Sequence, residues 1–120
     1  MGADKRNRED PYVRRLREEL AKAYGAKHPR AQIEVKREYP ACVRVRVLDP
    51  GFAHKDRVDR NEAVWEVIRT LPEEWWNQIS LLIVLTPKEA KTSLMNRFEF
   101  EELPPYNGEV DSPKEPAKRR

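Results

Sequence analysis

Cysteine, histidine and glycine are scarce in this chain: one Cys, two His and four Gly among 120 residues. A lone cysteine, Cys42, cannot close an internal disulfide, so the fold carries no covalent staple. The few glycines form no GxxxxGK phosphate loop and no GxxG loop. His28 and His54 have no CxxC, HxxxH or carboxylate partner at metal-ligand spacing, so both read as surface histidines and no metal site is legible. Long apolar runs are missing too. The longest, Leu81 to Leu85, falls far short of the roughly 20 residues of a membrane-spanning helix. The opening MGADKRNRED has no apolar stretch for a secretory signal, and Arg6 stands where myristoylation requires Ser or Thr. No HExxH motif or Ser/His/Asp set occurs, and the adjacent pairs Glu73-Glu74 and Glu101-Glu102 would diverge on regular elements. These absences lead us to expect a non-catalytic cytoplasmic protein with no membrane partner and no cofactor.

Charge is abundant instead, at 38% of residues with a net +3, and it is unevenly placed. Residues 27–60 carry nine Lys/Arg against five Asp/Glu, and residues 61–103 carry four against eight. A basic first half facing an acidic second half has two readings. It is either a solubilising surface or a patch that meets phosphate.

Punctuation and periodicity divide the chain. Residues 1–9 are polar and mixed in charge, and 104–120 hold Pro104, Pro105, Pro113 and Pro116 before Lys118-Arg119-Arg120; both read as disordered tails around a single domain at 10–103. Asp10-Pro11 starts a helix, with Tyr12, Leu16, Leu20 and Ala23 as its apolar stripe and Gly25 as its stop. Ala31, Ile33 and Val35 alternate with polar residues, as do Val43, Val45 and Val47 with Arg44 and Arg46; Tyr39-Pro40-Ala41 joins them as a hairpin. Cys42, at the start of the second strand, reads as a small apolar core residue. The arginines then point away from the valine face, beside Glu34 or Lys36.

Asp49-Pro50-Gly51 is a turn, and Asp59 with Glu62 has capping-box spacing for a second helix carrying Ala63, Val64, Val67, Ile68 and Leu71 up to Pro72. Glu73 to Trp76 reads as a short helical turn. Ile79 to Leu85 reads as a strand buried on both faces, and Thr86-Pro87 starts a helix through Ala90 and Leu94. Phe98 and Phe100 alternate with Glu, as an edge strand or a loosely packed segment. The order α-β-β-α-β(-α) predicts an α+β two-layer domain, with a small three-stranded mixed sheet and helices on one face.

Asp49, Phe52, Arg60, Val64 and Trp65, with the ending Leu85-Thr86-Pro87-Lys88-Glu89 and this element order, resemble the BolA-like family, whose fold is similar to type II KH domains. The resemblance covers roughly residues 10–91. It implies a small non-enzymatic regulator, linked either to nucleic acid or to monothiol glutaredoxins that share a [2Fe-2S] cluster with the family. Asn61 stands at the family's cluster-histidine position, and an amide is a poor iron ligand. Ser80 stands near a second such position, and Leu71–Trp76 lengthens the preceding segment. Two sets of site residues follow. Lys36, Arg37, Arg44, Arg46, Lys55, Arg57 and Arg60 are the candidates for nucleic acid, at the hairpin and the helix entry. Phe52, Trp75 and Trp76 are the candidates for a protein interface, as in an adaptor working with a monothiol glutaredoxin.

Overall fold

The computed structural model describes residues 10–104; apart from Pro104, the two tails expected at 1–9 and 104–120 lie outside it. Asp10 opens helix α1 (Pro11–Gly25) by accepting the backbone N–H groups of Tyr12 and Val13. The chain then forms β1 (Gln32–Tyr39), β2 (Cys42–Leu48), a 3-10 turn over Pro50–His54, α2 (Arg57–Ile68), a second 3-10 turn over Glu73–Trp75, and β3 (Ile79–Leu85). Two short helices, α3 (Pro87–Ala90) and α4 (Leu94–Asn96), and a π-helical turn (Arg97–Glu101) follow.

The domain is α+β, with a mixed sheet ordered β1-β2-β3. β1 and β2 are antiparallel, with Val35 opposite Val45, and β2 and β3 are parallel, with Val45 opposite Leu82. Pro40-Ala41 turns the hairpin, and Ala41 takes φ 66°, a left-handed conformation that glycine adopts at less cost.

One core fills the space between the sheet and the two long helices. Val43, Val45 and Val47 meet Leu16, Leu20, Val64 and Ile68 there, as the alternation predicts. The α1 stripe is rotated from the expected one: Val13 and Tyr24 are buried with Leu16 and Leu20, while Tyr12 stays half-exposed and its hydroxyl accepts from Gln78 N–H. Helix α2 starts earlier than expected because Asp56, not Asp59, is the cap, accepting the Asp59 N–H at 2.9 Å. The helix also ends at Ile68. Leu71 lies beyond it in the following turn, still packed on the core.

The far side of the sheet is also covered. The helix expected from Thr86 through Leu94 breaks after Ala90 and restarts under a new cap, Ser93. This turns the Phe98–Phe100 segment back across the sheet as a π-helical turn rather than a strand. Phe100, 1% exposed, packs with Leu48, Ile83 and Leu85 in a second, smaller core. β3 therefore has apolar neighbours on both faces, which explains its unbroken apolar run.

Candidate interaction surface

The far-face cover decides what the arginines of β2 do. Glu38, Lys36 and Glu34 of β1 lie on the same face as Arg44 and Arg46, with Lys36 in register with Arg44 and Glu34 with Arg46. Arg44 donates to Glu38 Oε1 at 3.0 Å and to Glu99 Oε1 at 2.6 Å. Arg46 pairs with Glu34 and Glu101, donates to Asn96 Oδ1 at 2.9 Å, and lies 4.7 Å over the Phe100 ring. Only 8% exposed, Arg46 also holds a buried Nε without a partner among the described residues. Lys36 Nζ donates to the Phe100 carbonyl at 2.8 Å. A cleft of about 410 Å³ runs beside these groups, but two of the three cations that line it, Lys36 and Arg46, already face protein acceptors. The hydrogen bonds that Arg44 donates to Glu38 raise it above the ordinary guanidinium range, while those from Asn96 and Arg46 lower Glu101.

Arg37 points the other way, to the helix side. It pairs with Asp10, donates to Gln78 Oε1 at 2.7 Å and stands 5.4 Å from the Tyr12 ring. Burial works to raise the Asp10 carboxyl, but the Arg37 hydrogen bond and the α1 backbone donors bring it below its usual value.

Arg60 is 5% exposed. Its guanidinium forks onto Glu89 at 2.7 and 3.1 Å, its Nε donates to the Lys55 carbonyl, and it lies 5.7 Å from the Phe52 ring. That fork, followed by the Thr86 N–H, holds the Glu89 carboxyl down at about 2. Of the seven cations singled out in the sequence, only Lys55 and Arg57 stand exposed with no side-chain hydrogen bond or ion pair among the described residues. The sequence shows the charges of Arg44 and Arg46 but not the acidic π-helical turn that meets them, since a segment of alternating Phe and Glu reads as an edge strand or a loosely packed segment.

The aromatic candidates are likewise committed. Phe52 is 1% exposed and belongs to the main core, so it offers no docking surface; this corrects its assignment as an interface residue. Trp75 is half-buried beneath the Arg15 guanidinium, 4.3 Å from its ring. Trp76 donates its indole N–H to the Leu71 carbonyl at 2.9 Å and meets Trp65 edge-on. His28, read as partnerless, stands 3.5 Å from Asp49 Oδ2 and stacks on Tyr24, whose hydroxyl burial and the adjacent Asp49 push upward. The partner lies far along the chain, where motif spacing does not reach.

A different surface is left open. Val58 is 70% exposed on the first turn of α2, and Leu94, Met95 and Phe98 are 65, 43 and 55% exposed beyond β3. Of these, Met95 also lines a groove of about 110 Å³ whose lining includes the Leu82–Leu85 stretch of β3. Arg57 and Asn61 of α2 form one rim, and Ser93 and Met95 form the other. Large exposed side chains gathered in one short segment, as Leu94, Met95 and Phe98 are, mark docking surfaces more often than scattered ones do.

The cluster chemistry implied by the resemblance does not fit these residues. Asn61, at the histidine position, adjoins the Leu82–Leu85 end of β3, and the chain's one thiol, Cys42, lies away from it, before Val43, which pairs with Ile79 at the other end. No group of three or more His, Cys, Asp or Glu among the described residues is placed to hold a metal ion. No helix among them is long and apolar enough to cross a membrane. Neither the known family models nor the curated proteins compared with this chain match it.

Proposed function

We propose that this protein is a small non-catalytic adaptor of the BolA-like kind, a cytoplasmic regulator that docks a protein partner on the face made by the start of α2, the edge of β3 and the α4 segment. The observation that carries the reading is the exposure of Val58 at the start of α2 and of Leu94, Met95 and Phe98 in the segment after β3, with Met95 also lining the groove. The element order and the mixed sheet support the resemblance. The nucleic-acid alternative draws less support, because Lys36, Arg37, Arg44, Arg46 and Arg60 are held by carboxylates, an amide or carbonyls of the protein itself. Charges already neutralised this way release few counterions on meeting a phosphate backbone.

The test is a ¹H–¹⁵N NMR titration, first with a monothiol glutaredoxin and separately with a mixed single-stranded oligonucleotide pool at physiological salt. The adaptor reading expects shifts at Val58, Asn61, Leu94, Met95 and Phe98 with the protein and none with the oligonucleotides. Shifts clustered at Lys55 and Arg57 that survive salt, seen with oligonucleotides alone, would replace it with the nucleic-acid module.

A further inference from the structure

The two edges of the sheet are built differently. β1, at one edge, carries Glu34, Lys36, Arg37 and Glu38 and is interrupted by an irregularity between Arg37 and Tyr39. Charges and bulges of this kind protect an edge from pairing with other chains. β3, at the other edge, reads Ile-Ser-Leu-Leu-Ile-Val-Leu and has neither charge nor proline. Leu85 C=O accepts the Asp49 N–H at the end of β2, so Leu85 and Ile83 turn their backbone groups toward β2. Alternation along the strand then turns the N–H and C=O of Leu82 and Val84 outward, into the groove. Val84 C=O meets only a long contact of 3.4 Å from Arg60 Nη1.

We propose that this edge takes an extended peptide segment of a protein partner as a fourth strand, with one aliphatic side chain in the groove and an acidic residue at Arg57. The inference rests on the adaptor reading and names what that face receives. Added strands draw affinity from main-chain hydrogen bonds and specificity from pockets for alternate side chains.

Four features of the groove select the occupant. Its volume, about 110 Å³, suits a single aliphatic side chain, given that an apolar cavity of about 150 Å³ holds benzene. Asn61 on the rim is half-buried, and its carboxamide has no hydrogen-bond partner among the described residues. A carboxamide presents the donor and acceptor that a peptide unit complements. Arg57 is the single charged residue of the lining, which favours a carboxylate in the incoming chain. Finally, the edge is recessed between Arg57 and Met95. Two copies would each hold the edge below its own rim and could not bring them together, whereas a single extended segment can approach it and lower one side chain into the groove.

The experiment pans the full-length protein against a random twelve-residue linear peptide library displayed on phage. The expected consensus alternates aliphatic residues and includes Asp or Glu. The best peptide, resynthesised with alternate amides N-methylated, loses at least tenfold in affinity. Arg57→Glu weakens the same peptide about tenfold and moves the consensus toward Lys or Arg, and Asn61→Leu weakens it several-fold, both with unchanged far-UV circular dichroism. An unenriched library would overturn strand addition. So would a concentration-dependent dimer abolished by Met95→Glu, which would put a second copy in the groove. Peptides indifferent to N-methylation but lost with Leu94→Glu would overturn strand addition while keeping the docking face, so the two readings fail separately.

Discussion

Replacing Glu89 with alanine removes two supports at once: the fork around Arg60 and the reciprocal half of the capping box that opens α3. Loss of that half, which leaves the Thr86 N–H without its acceptor, costs about 1 kcal/mol. The orphaned guanidinium costs more, because its side chain is 7% exposed. Breaking a buried pair costs roughly 3–5 kcal/mol. Here the figure falls to about 2, since Glu89 is 42% exposed and water already reaches the pair, and Arg60 keeps its bond to the Lys55 carbonyl. The sum is about 3 kcal/mol, or a drop of roughly 1–3 M in the urea midpoint. Arg60→Met leaves Glu89 facing water and keeps an apolar stem near Phe52, so it costs only about 1 kcal/mol. The double variant is then about 2 kcal/mol more stable than the sum of the single effects.

The same pair governs acid stability. Because the folded carboxyl is depressed from its ordinary 4.5 to about 2, its contribution is complete above pH 4.5 and is lost as the pH falls toward 2. The full depression would correspond to about 3 kcal/mol, which solvent screening of a 42% exposed side chain reduces to about 1. Arg60→Met should flatten this limb between pH 5 and 2 in urea unfolding series. An Arg60→Met variant at least as destabilised as Glu89→Ala, or an unchanged acid limb, would refute the reasoning.

Phe100→Ala should cost about 3 kcal/mol in thermal unfolding, because it empties the second core under Lys36 and Arg46; a loss below 1 would mean the C-terminal segment does not cover the sheet. Ala41→Gly should stabilise by about 1 kcal/mol by relieving the left-handed backbone, whereas Ala41→Val should destabilise, both read from urea midpoints. Arg46→Glu, which sets a carboxylate against Glu34 and Glu101, should lose more than about 3 kcal/mol, while the exposed Lys55→Glu should stay within about 0.5 on the same assay.

The elements were legible where one face of each is buried. Val43, Val45 and Val47 alternate as a half-buried strand must, and the Asp10-Pro11 cap states its helix outright. Boundaries were less legible where two caps competed: Asp56 and Asp59 both precede α2, and only the geometry of the preceding loop selects the first. The far face was misread for a deeper reason. Glu38 and Glu34 meet Arg44 and Arg46 within the hairpin, but their remaining partners, Glu99 and Glu101, come from a segment about fifty residues later in the chain, and no local period encodes that return. Asn61 and the elements around it were visible in sequence, but the groove they border exists only once α2, β3 and α4 converge.

The mixed sheet also sets an order of assembly. β1 and β2 are joined through Pro40-Ala41 alone, so their hairpin closes on the microsecond scale. β3 pairs with β2 only after the chain has looped through the whole of α2 and its following turn, a closure that is entropically later and slower. During synthesis and refolding, then, the one strand without charges is the last to find its neighbour. The residues with the least protection against sticking to other chains are exposed for the longest time.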